Sequence, residues 1–255
     1  MIALYVKNLN AAFGDLKVLD EICLKVNIGE IVGLIGPSGC GKSTLLRIIA
    51  GIIPNLIPAN LEGSVEVLNQ KPNQTPPGSV DMMFQESSLL VWRNAIKNVE
   101  LGLEIIGRRN GITSREMLER VGLCDFLFSK PRNLSGGMKQ RVNIASSLIT
   151  GPKLLLLDEP FANLDNLTRE STWQLVGDLR GMGLIETAII VTHSIDEAVV
   201  LSDKVYVMSS RPGRIIDEIC IDFPRPRIDH LGLLVDGFER VSNRLRLAVR
   251  RGRDE

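Results

Sequence analysis

The stretch that most constrains this chain is Gly36-Pro37-Ser38-Gly39-Cys40-Gly41-Lys42-Ser43-Thr44, which has the phosphate-binding spacing G-x-x-x-x-G-K-[ST]. An apolar run, Ile31 to Ile35, precedes it, and a helical pattern, Leu45-Leu46-Arg47-Ile48-Ile49, follows it. Strand, glycine loop and helix in that order predict a backbone curled around an anion. The glycines let N–H groups turn inward, and the positive end of a helix starting near Gly41 adds to them. In such a cup Lys42 reaches β- and γ-phosphates, Ser43 offers its hydroxyl to a magnesium ion, and Thr44 stands beside it in the helix. A chance glycine turn is the competing reading, and the correct flanks on both sides weigh against it.

Around this loop there is material for one large domain, or one domain with a lobe: 255 residues, 44% hydrophobic and 24% charged, an ordinary globular composition. Lys+Arg 30 balance Asp+Glu 30, so overall charge gives no reason to expect nucleic acid as a partner. No apolar run approaches the ~18 residues of a membrane span, and the Met1-Ile2-Ala3-Leu4-Tyr5 start lacks the parts of a signal peptide. A cytoplasmic protein is expected, with any membrane role passing through a partner. Cys23, Cys40, Cys124 and Cys220 form no C-x-x-C pair, which argues against a structural zinc and a disulfide framework. Cys23, Cys124 and Cys220 read as small core residues, and Cys40, inside the cup, as a thiol of lowered pKa shielded by a bound nucleotide.

Before the loop, Leu4 and Val6 alternate, Phe13-Gly14-Asp15 reads as a turn, and Ile22, Leu24, Val26 and Ile28 alternate again. This predicts an antiparallel entry of two or three strands. Phe13 is an aromatic that can stack on an adenine ring or pack in the core. Beyond the loop, Val65, Val67 and Leu68 suggest another strand, and Val80 to Phe84 a short one ending on Gln85. Ile96, Val99, Leu103 and Ile106 then recur at helical spacing, and Thr113-Ser114-Arg115-Glu116 is a capping-box start. Residues 86–149 therefore read as a helical subdomain inserted into an α/β core of 1–85 and 150–221. In the tail, 222–255, Phe238, Val241 and Leu245 at helical spacing among Arg240, Arg244 and Arg246 predict a basic amphipathic helix. It either docks on the core or meets acidic lipid heads or a partner.

Three further places carry chemistry. Leu154 to Leu157 is a wholly apolar strand that delivers Asp158 and Glu159 to the C-terminal edge of a parallel sheet, where ligands sit. Asp158 can hold magnesium, usually through water, and Glu159 can act as general base on an attacking water. Thr187 to Thr192 likewise delivers His193, which would donate to a γ-phosphate or orient the water. Finally, Leu134-Ser135-Gly136-Gly137-Met138-Lys139-Gln140-Arg141 opens a helix with an N-cap serine and two glycines, a second phosphate-binding helix end.

Taken together in this order, the loop, Gln85, the Leu134–Arg141 signature, Asp158 with Glu159, Asp165 and His193 resemble the nucleotide-binding subunit of ATP-binding cassette (ABC) transporters, from about Leu4 to Ile221. The resemblance implies a P-loop NTPase core, mostly parallel with flanking helices, joined to the antiparallel β entry and the helical subdomain. It implies ATP and Mg2+ as cofactors, with Gln85 sensing γ-phosphate and metal and Asp165 carrying communication between sites. Two copies would face head to tail, each completing the other's site with Ser135, Gly136, Gly137 and Gln140. The implied partners are two integral-membrane permease subunits and a periplasmic or lipid-anchored solute-binding protein, with the cassette peripheral on the cytoplasmic face of the inner membrane.

Phe84-Gln85-Glu86, Leu89-Leu90-Val91-Trp92, Asn98-Val99 and Ser209-Ser210-Arg211-Pro212-Gly213-Arg214-Ile215 look like the importer branch for nitrate, sulfonate and taurine. In this reading Trp92 either packs in the core or belongs to a surface gripping a permease. Departures from the family pattern are Ser87 where proline is common, Asn163 before Asp165, and Ser146-Ser147 in place of Arg-Ala. A soluble non-transport ABC ATPase and an unrelated phosphate-loop enzyme are the alternatives. The single cassette and neutral charge weigh against the first, and the signature against the second.

Overall fold

Strands short enough to be buried along their whole length set the layout. In the computed structural model, which describes residues 1–86, 88–107, 111–227 and 237–254, the chain begins with β1 (Ile2–Phe13), β2 (Leu16–Asn27), β3 (Ile31–Ile35), α1 (Lys42–Ile49) and β4 (Asn60–Val67). It continues with β5 (Val80–Met83), α2 (Ala95–Ile106), α3 (Ser114–Arg120), α4 (Gly136–Leu148), β6 (Leu154–Asp158) and α5 (Asn166–Gly181). It closes with β7 (Ala188–Thr192), α6 (Ile195–Leu201), β8 (Lys204–Met208), β9 (Ile215–Cys220) and α7 (Phe238–Asp254). Two compact units result, Met1–Thr75 with Thr187–Glu255, and Pro76–Glu186. Ser87 and residues 228–236 of the tail lie outside the described residues.

In the first unit β3 is central. β7 pairs with it in parallel from Ile31↔Ala188 to Ile35↔Thr192, and β8 pairs with it, also in parallel, from Val32↔Lys204 to Ile35↔Val207. Every residue of these three strands is buried, which is why they read as unbroken apolar runs and not as alternations. β9 lies antiparallel on β8. A separate antiparallel sheet has the order β2-β1-β4. Its hairpin consists of two twelve-residue strands meeting around Gly14 and Asp15, so the antiparallel entry takes the two-strand form. Helix α7 buries Phe238, Val241, Leu245 and Ala248 against α6, β8 and β9. Arginines at the edge of that face are paired, Arg240 with Asp222 and Arg251 with Asp217. The basic tail helix is docked.

In the second unit β5 and β6 pair in parallel from Val80↔Leu154 to Met83↔Leu157. Helices α2, α3 and α4 pack on one another, and α5 packs on α4. Local sequence sets their ends. Asn94 caps α2 by accepting from Lys97 N at 3.0 Å, Thr113 and Glu116 form the reciprocal capping box of α3, and Gly107, at φ 71, ends α2 in left-handed backbone. The fold class expected from the sequence holds: mixed α/β with mostly parallel strands, an antiparallel sheet and a helical stretch.

One carboxyl in this unit makes the fold sensitive to pH. Burial pushes Asp81, on β5, up to about 7 against the opposing hydrogen bond of Ser147 on α4. The ordinary value is 3.8, so the folded chain keeps a proton that the unfolded chain releases, and stability falls as pH rises between those values. Between pH 5 and pH 8 the melting temperature of the wild type is expected to fall on the order of 5 °C more than that of Asp81→Asn. Parallel melting profiles would show that Asp81 titrates normally.

Candidate functional site

Helix α1 starts differently from α2 to α6. Asn94, Thr113, Ser135, Asp165 and Ser194 each cap their helix by accepting a first-turn amide. Gly41 at the start of α1 has no side chain to do so. α1 thus presents its first-turn amides, and the positive end of its dipole, to an anion. Gly41 stands at φ 107, and a Cβ there would lie 2.6 Å from Leu19 Cδ2, so β2 packs directly under the loop. The Lys42 ammonium donates to the carbonyls of Gly36 at 2.9 Å and Pro37 at 2.8 Å and lies 3.8 Å from Cys40 Sγ. This buried positive charge sits inside the curl. Ser38 and Gly39 form its exposed crest, while Ser43 and Thr44 are half-buried on the first turn of α1.

Cys40 is only 1% exposed, and burial raises its thiol pKa despite the lowering influence of Lys42. The expected low-pKa cysteine is overturned because desolvation outweighs the neighbouring charge. Cys23, Cys124 and Cys220 are the exposed cysteines, against the expectation that they pack in the core. Cys23 and Cys220 fall on the solvent phase of β2 and β9, next to buried Ile22 and Ile219. Also in this unit, Phe13 is half-buried at the hairpin end of β1, and His193 is exposed directly after β7, before the α6 cap Ser194.

In the second unit β6 is buried throughout and ends on Asp158, 3% exposed. Glu159 follows at φ 46, a left-handed backbone that costs a non-glycine residue energy and often marks a functional turn. In this conformation its Oε2 accepts from Gln85 Nε2 at 3.2 Å. Ser135 Oγ accepts from Met138 N at 3.2 Å. A Cβ on Gly137 would run into Thr168 of α5, whereas Gly136 faces open space. Gln140 donates to the Pro160 carbonyl, tying α4 to the turn after Glu159. Asp165 caps α5 from Thr168 N at 3.0 Å, and its hydrogen bonds with Thr168 hold its carboxyl below the usual range. Gln85 and Glu159 meet, then, as do the signature helix, the turn around Pro160 and the first turn of α5 at Thr168.

Among the described residues no group of three or more His, Cys, Asp or Glu could hold a metal by itself. The donors expected for one are the Ser43 hydroxyl, the Gln85 amide oxygen and the Asp158 carboxylate. Each of these is an oxygen donor, the kind a hard ion such as Mg2+ takes.

Sequence alone offers Asn98 only as motif context. Its buried amide organises the turn before α2: Oδ1 accepts from Leu90 N at 2.7 Å, and Nδ2 donates to the carbonyls of Leu90, Arg93 and Asn94. The turn leaves Trp92 69% exposed, with Val91 and Phe84 also exposed. The readable signal is a polar residue next to Val99 on the apolar face of α2.

A protein-family profile described as ABC transporter matches residues 19–162. The chain is 41% identical over 239 residues to the aliphatic sulfonates import ATP-binding protein SsuB 2 of Burkholderia cenocepacia, across 91% of this chain and 86% of that one. It is 38% identical over 224 residues to the taurine import ATP-binding protein TauB of Yersinia pestis, across 86% and 85%. Among solved structures, the dimeric post-hydrolysis state of the ATP-binding cassette MJ0796 bound to ADP and Pi matches with a TM-score of 0.72 and 29% identity, across 87% of this chain and 100% of that one. No helix among the described residues is long and apolar enough to cross a membrane.

The burial pattern of the cysteines gives a direct check on the loop. A maleimide at neutral pH is expected to label Cys23, Cys124 and Cys220 at least about tenfold faster than Cys40, read by mass spectrometry of the peptides. Equal rates would contradict the burial of Cys40.

Proposed function

The chain belongs to the ABC transporter family, as an ATP-hydrolysing import subunit, and from that premise we propose that it powers uptake of a small solute such as nitrate, a sulfonate or taurine by closing and reopening a head-to-tail dimer. The observation that carries the catalytic part is Glu159, held in left-handed backbone after a buried strand with Gln85 at 3.2 Å. In this reading the loop Gly36–Thr44 receives the ATP phosphates and Lys42 turns its charge to the β- and γ-phosphates. Phe13 stacks on the adenine. Ser43, Gln85 and Asp158 would hold Mg2+, which would supply neutralisation of phosphate charge. Glu159 takes the proton of the attacking water, and His193 donates a hydrogen bond to the γ-phosphate.

The partner copy supplies Ser135, Gly136, Gly137 and Gln140. The open space at Gly136 supports this, since it lets a phosphate approach the first amides of α4. Asp165 relays between the two sites. The dimeric ADP- and Pi-bound relative supports the paired arrangement, and the sulfonate and taurine import relatives support the solute class. Two permease subunits in the inner membrane take up the exposed Val91 and Trp92, placing the subunit on the cytoplasmic face, and a periplasmic or lipid-anchored protein delivers the solute.

Glu159→Gln is expected to bind ATP and dimerise, by light scattering, while losing about a hundredfold or more in turnover. Near-normal hydrolysis would remove Glu159 from the base role. Trp92→Ala is expected to keep the ATPase rate of the isolated subunit and to lose co-purification with a multispanning permease from gently solubilised membranes. Undiminished capture of the permease would sink the docking assignment.

A further inference from the structure

The loop joining β8 to β9 touches the phosphate-binding loop from outside. Arg211 donates twice, through Nε at 3.0 Å and Nη2 at 2.9 Å, to the Gly39 carbonyl. Two residues on, a Cβ at Gly213 would run into the Cys40 carbonyl, so the two loops lie in contact at consecutive positions. The Arg211 loop is itself anchored on β2. Gly213 N donates to Val18 O at 2.9 Å, Asp20 N donates to Gly213 O at 3.0 Å, and Arg214 Nε donates to Asp20 at 2.6 Å. Hydrogen bonds from Lys17 and Arg214 hold the Asp20 carboxyl below the usual range, which keeps this anchor charged. On its far side, Ser210 N donates to Gly252 O near the end of α7 at 2.6 Å.

We propose that Arg211 is a positioning residue for ATP binding: its two-donor grip on the Gly39 carbonyl fixes the orientation of the peptide between Gly39 and Cys40. In a trans peptide the carbonyl and the following N–H point in opposite directions. Holding Gly39 O outward therefore turns the Cys40 amide inward, where its hydrogen bond to Pro37 O is long, 3.4 Å, and a phosphate oxygen makes a better acceptor. Gly39 at φ 76 has the backbone freedom to let this peptide rotate, and Gly41 stands just beyond it. An outside clamp is what selects one orientation. The guanidinium suits the task because it brings two donors to one oxygen, which an ammonium cannot do in the same fixed geometry.

The proposal rests on the reading of Gly36–Thr44 as the ATP site, and the test separates the two. Dissociation constants for ATP and ADP are measured by calorimetry on the full chain for wild type, Arg211→Ala, Arg211→Lys and Lys42→Ala, together with turnover at saturating ATP and melting temperature. Arg211→Ala is expected to weaken ATP and ADP alike by about tenfold, and Arg211→Lys by about threefold, with saturated turnover within about twofold of wild type and an unchanged melting temperature. Wild-type affinity in Arg211→Ala, beside a Lys42→Ala that fails to bind, would overturn the positioning role and leave the ATP site standing. A melting temperature that drops with the affinity, without rescue by lysine, would also overturn it, as a purely structural effect. If wild type itself bound neither nucleotide, or Lys42→Ala bound like wild type, the reading of the loop would fall first.

Discussion

A helix that begins on a glycine has no capping side chain, and its leading amides must be held in place by their surroundings until an anion meets them. The first unit is built around this need. β3 brings the chain up as a fully buried strand, β2 packs beneath Gly41 so closely that no side chain fits, and Lys42 lies against the carbonyls of Gly36 and Pro37. The carbonyls that face the lysine give it hydrogen bonds in place of water. A buried ammonium is tolerable only with such partners. The same arrangement stores positive charge at low dielectric, where it attracts a polyphosphate more strongly than it would in solvent.

The second unit holds a complementary kind of preparation. Glu159 keeps a backbone conformation that a glycine would enter more easily, yet glycine there would remove the carboxylate. Retaining glutamate means the strain is sustained by the buried strand before it and by the turn after it, which Gln140 ties to α4. With its main chain already turned, the carboxylate is held beside Gln85 with little further rearrangement.

What was legible in the sequence was whatever depends on local chemistry or on burial of a whole strand. The helical spacing of α2, the capping box at Thr113 and Glu116, and the apolar strands that end at Asp158 and Thr192 all follow from spacing and caps. The cysteines were illegible for the opposite reason. Exposure of Cys23 and Cys220 depends on strand phase, and the raised thiol of Cys40 depends on tertiary packing around the loop. The arginine at 211 stands in a recognisable motif, but its acceptor lies 172 residues away, and the pairing of β3 with β8 together with the bonds of Gly213 to β2 brings those segments side by side. The exposure of Trp92 was one of two open readings because its turn is held by Asn98, a side-chain contact that periodicity does not report.

Helix α7 acquires a further meaning from this layout. Its closing turn is bonded through Gly252 to Ser210, the neighbour of the arginine that grips Gly39. Two hydrogen-bonded steps on adjacent residues, Ser210 and Arg211, therefore separate the end of the tail helix from the exposed crest of the Gly36–Thr44 loop. The last turn of the chain's last helix thus shares one hydrogen-bonded neighbourhood with a loop more than 200 residues earlier in the sequence.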